Sequence, residues 1–122
     1  MDPDDSINVL GGTLAICGAD PVTGFFRDGH CNTCASDQGS HTVCAVMTEE
    51  FLAFSKYVGN DLSTPRPEYR FAGLKPGDRW CLCASRFLQA ADEGCAPKVS
   101  LEATHQRALD VVPLNVLEKN AE

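Results

Sequence analysis

Cysteine and histidine are the residues in this sequence whose types and spacing could do chemistry. Cys31 and Cys34 form a CxxC pair directly after His30, and two thiols at that spacing in a turn can point at one zinc ion. If Cys81 and Cys83 lie on a strand, both sulfurs share one face. We therefore expect a metal site, with zinc as the candidate ion, drawn from Cys31, His41, Cys44, Cys81 and Cys83, with Cys34 and His30 as substitutes.

The same thiols support a second interpretation, a thiol-dependent enzyme. A thiol held as thiolate by a nearby imidazole can attack a disulfide, a peroxide or another electrophile. The residues that follow Cys34 are a poor helix start, which counts against a redox CxxC because such thiols usually benefit from a helix N-terminus. The candidate catalytic residues are Cys44 and Cys31 as nucleophiles and His41 and His105 as bases. A third interpretation, an interaction module whose cysteines only fill the core, stays open.

Polar residues before the Cys81 strand could bind a small ligand. Asp78, Arg79 and Trp80 combine a carboxylate, a guanidinium and an indole, which suits an anionic or aromatic molecule. Asn60 and Asp61 offer further polar groups, although such side chains also hydrogen-bond their own turns. We expect a small molecule or a metal ion as partner; the sequence identifies no protein partner.

Composition narrows the classes of function. The chain has 122 residues with 10 basic and 17 acidic ones, a net charge of −7, and no basic cluster, so nucleic acid is not expected as a partner. No apolar run is long enough to span a bilayer, and the acidic first residues do not resemble a signal peptide. We expect a cytoplasmic protein without a membrane partner, and therefore mostly reduced thiols among its seven cysteines.

The elements that must position these residues are short. The pattern predicts a disordered acidic tail over residues 1–6 and a single domain over 7–122. Within that domain we expect strands near 41–47, 79–84 and 99–103, and helices after Thr48, Ser85, Thr104 and Pro113. Long turn-rich loops cover 17–40 and 59–76. The fold class is therefore α+β, with a small mixed or antiparallel sheet, three or four helices and two long loops.

Several segments, taken in chain order, resemble a known family. They read TGFFRDG at 23–29, HTVCAVMT at 41–48, GNDLSTP at 59–65 and PGDRWCLCA at 76–84, followed by ATH at 103–105. Together they resemble the mainly bacterial domain-of-unknown-function family 2237 over nearly all of 8–117. The resemblance brings no established activity, substrate or cofactor. It implies that the matching residues are Cys17, Cys31, His41, Cys44, Cys81, Cys83 and His105.

Two positions of the CxxC segment depart from the family pattern. The resemblance implies a cysteine where this chain has His30 and a glycine where it has Cys34. A centre shared by the family would then draw on Cys31 and on the thiols and imidazole of the two predicted strands rather than on the CxxC pair.

Overall fold

A three-stranded antiparallel sheet forms the centre of the computed structural model, which describes residues 5–122. The strands are β1 (His41–Val46), β2 (Arg79–Cys83) and β3 (Lys98–Val99), in the spatial order β2-β1-β3. The α-helices are α1 (Glu49–Tyr57), α2 (Ala84–Asp92) and α3 (Leu114–Lys119) in the described part of the chain. The predicted α+β class, with an antiparallel sheet, is confirmed.

The first strand and helix form for local reasons that the sequence already contains. β1 is a short apolar run with β-branched members and is buried along its middle. Thr48 caps α1, because its hydroxyl accepts a hydrogen bond from Phe51 N at 3.1 Å, and two glutamates occupy the positive first turn. Gly59, at φ 92°, follows the helix in the left-handed conformation that glycine adopts without strain.

Side-chain alternation divides the sheet into two different faces. Val43 of β1 pairs with Leu82 of β2, and both belong to the main core with Phe51 and Phe87 from the helices. Cys44 and Cys81, the next residue pair of the two strands, point to the opposite face and belong to a second, cysteine-rich cluster. The loop of residues 17–40 therefore packs on the cysteine face, whereas Leu74 of the second long loop packs in the main core with the helices.

A β-bulge interrupts β1 near its start. Cys44 pairs with Cys81 in regular register, which would bring Thr42 opposite Cys83 two residues further along. The register instead shifts between His41 and Val43, so that His41 faces Cys83. The bulge thus moves an imidazole onto the cysteine-bearing face of the sheet.

The C-terminal half is less regular than expected. The strand predicted over 99–103 ends at Val99, and Leu101–Ala103 form a 3-10 helix instead. The hydroxyl of Thr104 donates to Ser100 O and accepts from Cys44 N, which closes a turn where the strand was expected. The helix predicted after Thr104 is also a 3-10 helix, Gln106–Asp110.

Part of the predicted acidic tail is held in place by hydrogen bonds. Residues 1–4 of the predicted tail lie outside the described residues. Ser6 donates to Asn32 Oδ1 at 2.6 Å, and its carbonyl accepts from Leu14 N. Ile7 and Thr13 form an isolated antiparallel bridge. Between residues 5 and 122, no helix is both long and apolar enough to cross a bilayer.

Candidate active site: a thiol, an imidazole and a carboxylate

Four of the seven cysteines are joined in two disulfides. Cys17 bonds to Cys44, and Cys31 bonds to Cys81. The expectation of mostly reduced thiols therefore does not match this structure. The reason is topological, since Cys44 and Cys81 are cross-strand partners and the 17–40 loop folds over them.

The disulfides change what the predicted nucleophiles and metal ligands can do. Cys44 and Cys31 carry no thiol in this form, so neither can attack a substrate. The sulfurs of Cys17, Cys31 and Cys81 lie within 4.8 Å of one another and are buried. Zinc binds thiolates and not disulfide sulfurs, so this cluster could hold a metal only after reduction.

Of the three cysteines that remain free, Cys83 is the one whose surroundings include an imidazole. It lies at the end of β2, is partly exposed, and occupies the N-cap position of α2. Cys34 is buried in the long loop, and Cys95 donates weakly to Glu93 O beyond the far end of α2. A partly exposed cysteine at the end of a strand can be reached by a small molecule.

His41 lies beside Cys83 because of the bulge. The two residues are cross-strand partners, a relation that places Cβ atoms roughly 5 Å apart. An ideal Cβ built on Gly39 would lie 3.0 Å from His41 Cε1 and 3.2 Å from Cys83 Sγ, so the ring and the sulfur border one small space. Glycine at position 39 leaves that space open.

A buried carboxylate fixes the imidazole. Asp37 Oδ1 accepts from His41 Nδ1 at 2.6 Å, while Oδ2 accepts from His41 N and from the Thr33 hydroxyl, each at 2.9 Å. Three hydrogen bonds hold the carboxylate and satisfy its burial. Since Nδ1 is engaged by Asp37, the ring nitrogen left for Cys83 is Nε2.

The imidazole favours its charged form. The hydrogen bond to the Cys83 side chain raises the pKa of His41 most, burial opposes it, and the Asp37 hydrogen bond adds to it, which leaves the pKa at about 9 instead of 6.5. Phe25 stacks on the ring with centroids 6.2 Å apart, an arrangement that also suits a cation. A protonated imidazole can act as a general acid.

The thiol and the imidazole are partly exposed, whereas the carboxylate is buried. The Asp37 side chain is fully buried and the His41 side chain is 37% exposed. Cys83 is partly exposed at the rim. A substrate could therefore reach the sulfur while water is kept from the carboxylate, which is the arrangement that a nucleophile, base and orienting group need.

The other candidate catalytic and metal-binding residues lie elsewhere. His105 is fully buried, its backbone N–H donates to Thr42 O, and its Nδ1 accepts from Arg107 N as a cap of the last 3-10 helix. His30 Nδ1 lies 3.3 Å from Asp28 O in the long loop. The structure divides the five expected metal ligands into two groups. His41 and Cys83 form one group, and Cys31, Cys44 and Cys81 form the other.

The expected ligand-binding residues mostly stabilise turns. Asp61 accepts four hydrogen bonds from its own turn, led by the Thr64 hydroxyl, which lower its pKa to about 2. Asp78 Oδ2 accepts from Lys75 N. Arg79 pairs with Glu122 at 2.7 Å, and the carbonyl of Asn60 accepts from the Ser55 hydroxyl.

Trp80 differs from the other expected ligand-binding residues because it lines a surface cavity.

Sequence reasoning missed Asp37 and Gly39 and assigned Cys83 only to metal binding. A carboxylate four residues before a histidine in a turn-rich loop is a usable signal for a hydrogen-bonded pair, since an Asp side chain can accept from residues that follow it in a turn. The bulge that completes the site has no comparable mark in the sequence.

These features define a small α+β protein with two buried disulfides and a thiol-imidazole-carboxylate group on the same sheet face. The chain belongs to domain-of-unknown-function family 2237, described as an uncharacterized protein conserved in bacteria, whose model matches residues 7–121. The resemblance expected from the sequence is confirmed. A search of curated proteins finds no match to the chain.

Proposed function

We propose that the protein is a thiol-dependent enzyme of the acyl-transfer type, with Cys83 as nucleophile, His41 as general acid and base, and Asp37 as the residue that orients the imidazole. The single observation that carries the proposal is the His41 ring, held through Nδ1 by a buried carboxylate and facing the Cys83 thiol across the bulge. This differs from the sequence-based choice of Cys44 or Cys31.

The chemical step balances with the groups at hand. The Cys83 thiolate attacks an acyl carbon and forms a thioester, while the leaving group departs with the proton of His41 Nε2. Neutral His41 then takes a proton from water, the hydroxide displaces the sulfur, and the acid product leaves with thiolate and imidazolium restored. No oxidant or reductant is needed.

The start of α2 supplies donors for the negative charge that develops on the acyl oxygen. Cys83 makes no side-chain cap hydrogen bond, and Ala84 N donates to Ser40 O. The next backbone N–H groups of the first turn, those of Ser85 and Arg86, have no acceptor within the helix. Such groups stabilise a developing oxyanion in many acyl-transfer sites.

The test uses p-nitrophenyl acetate with the protein kept free of reductant. We expect a burst of p-nitrophenolate equal to the protein concentration and an acetyl group on Cys83 by peptide mass spectrometry. Cys83→Ser should abolish both, and His41→Gln should slow acylation by about a hundredfold, a usual contribution of general acid–base catalysis. Cys95→Ser is the matched control and should react like the unmodified protein.

A glycine variant tests the geometry separately. Gly39→Ala introduces a methyl group against the imidazole and the sulfur and should slow acylation, whereas Gly12→Ala, whose new Cβ would meet only ordinary contacts at 3.6 and 3.7 Å, should not. Acetylation of Cys34 or Cys95 in preference to Cys83 would refute the proposal.

A second candidate function is zinc binding by the reduced cysteine cluster. The observation in its favour is the 4.8 Å clustering of the Cys17, Cys31 and Cys81 sulfurs, beside which Cys44 supplies a fourth. Four thiolates form a complete structural zinc shell. Anaerobic reduction followed by zinc addition and native mass spectrometry should then give one bound ion; a reduced, folded and zinc-free protein would exclude this function.

A further inference from the structure

A surface cavity of about 700 Å³ lies beside β2, and no cysteine is among its lining residues. It is bounded by the loop before β2 and by the segment around residues 20–27. Its volume is in the range of small-molecule sites, which is about 300–1,000 Å³. The residues that matter for its chemistry are three aromatic side chains and three arginines: Tyr69, Phe71, Trp80, Arg27, Arg66 and Arg70.

The charge of the cavity is opposite to that of the chain. The protein carries a net charge of −7, yet half of its six arginines line this one cavity. The carboxylate among the lining residues is that of Asp20. A local excess of positive charge on an acidic protein favours an anionic occupant and repels a cationic one.

The arginines are available to a ligand. Among residues 5–122, neither Arg66 nor Arg70 forms a side-chain ion pair or hydrogen bond, and both are exposed. Arg27 donates through Nη1 to Gly24 O, and its guanidinium lies 5.3 Å from the Trp80 ring. Guanidinium groups recognise carboxylate and phosphate through paired N–H donors.

The backbone presents these side chains on a tight turn. Arg66 and Phe71 exchange both backbone hydrogen bonds, N to O at 2.7 and 3.1 Å, and so close the short segment between them. Arg70 has φ 54°, a left-handed conformation at the end of a 3-10 helix. The turn is therefore a defined loop that directs Arg66 and Arg70 to one cavity.

The aromatic residues provide a surface for a ring. Phe71 packs edge to face on Trp80 with centroids 5.5 Å apart, and Tyr69 is 80% exposed. A large exposed tyrosine beside two packed aromatic rings is suited to stack a flat ligand. We propose that this cavity binds a small organic anion that carries an aromatic ring, with Arg66 and Arg70 on the anionic group and Trp80 and Tyr69 on the ring.

The chain's single tryptophan lies in this cavity, so its fluorescence reports binding directly. Phenyl phosphate is the probe, excited at a wavelength that the probe does not absorb. We expect saturable quenching, with an affinity about tenfold or more above that of inorganic phosphate or benzyl alcohol, since each lacks one half of the recognised chemistry. Benzoate in a parallel titration distinguishes a carboxylate from a phosphate ligand.

Two variants test whether the quenching of Trp80 fluorescence depends on Arg66 and Arg70. The double change Arg66→Gln and Arg70→Gln should weaken phenyl phosphate binding by about tenfold or more, because it removes the anion contacts and leaves the rings. Arg107→Gln, which removes a charge outside the cavity, should not. Equal affinities for phenyl phosphate and inorganic phosphate, or an unchanged affinity in the double variant, would overturn the proposal. Neither outcome bears on acylation of Cys83.

Discussion

His41 connects a buried carboxylate to a partly exposed thiol. Its Nδ1 contacts the fully buried Asp37 side chain, and its other edge faces Cys83. Both neighbours raise the pKa of the ring, to about 9. The charge state of this single residue therefore depends on the folded structure.

That dependence predicts how stability varies with pH. Because folding raises the pKa of His41 from 6.5 to about 9, its contribution to the free energy of unfolding is fully present below pH 6.5 and is lost as the pH rises to about 9. Urea unfolding across this pH window should show a decline for the unmodified protein. The decline should be much smaller in His41→Gln, and parallel curves for the two proteins would contradict the assignment.

The strand pairing and helix α2 act together at the scale of elements. Strand β2 ends where α2 begins, and the residue at the junction is Cys83. Serine, threonine, aspartate and asparagine are the preferred residues at a helix N-cap, and Cys83 accepts no cap hydrogen bond from the first turn of α2, where Ala84 N donates to Ser40 O instead. The thiol therefore stands where another residue would stabilise the helix better.

Replacing that thiol should stabilise the start of α2 where His41 no longer contributes. Cys83→Ser supplies a hydroxyl that can accept from the first turn of α2, but it also removes the hydrogen bond that raises the pKa of His41 to about 9. Above that pH we expect the free energy of unfolding to rise by about 0.5–1 kcal/mol, and acylation should be lost at every pH. Denaturant unfolding measures the change. Thr48→Ala, which removes the existing cap of α1, should lower the stability by about 1 kcal/mol and calibrates the scale. A Cys83→Ser variant that is less stable at such a pH would mean that the thiol supports the fold.

The same elements separate what the sequence could and could not predict. Strand β1 and helix α1 followed from an apolar run and from Thr48, which are local signals. The strand expected over 99–103 is absent beyond Val99 because the Thr104 hydroxyl closes a turn onto Ser100 O while it accepts from Cys44 N of β1. The pairing of His41 with Cys83 depends on a one-residue register shift between distant segments, and alternation alone would have placed Thr42 there.

At the scale of the whole molecule, the two disulfides hold the long loop of residues 17–40 against the sheet. They span 27 and 50 residues of chain. The expectation of reduced thiols came from the composition and from the acidic first residues, and neither observation reports which sulfurs folding brings together. The Asp37 carboxylate lies in this loop, so the loop also positions the candidate site.

Opening a disulfide should therefore lower the free energy of unfolding and, because Asp37 lies in the same loop, slow acylation of Cys83. In the chain-entropy account, loss of the Cys17–Cys44 bond costs about 3.5 kcal/mol and loss of Cys31–Cys81 about 4 kcal/mol. Paired changes of each disulfide to alanine, followed by denaturant unfolding, measure these costs. Peptide mapping under non-reducing conditions should recover the same two pairs. Recovery of Cys17 joined to Cys81 would contradict the pairing.

The alternation of β2 has a practical result for anyone who purifies this protein. Cys81, which is in a disulfide, and Cys83, which is a free thiol, lie on the same face of β2 with Leu82 between them in the chain. Dithiothreitol added out of habit would release up to four new nucleophiles near Cys83, and these would compete with it for every electrophilic label. Samples prepared with and without that additive should be regarded as two chemically distinct species.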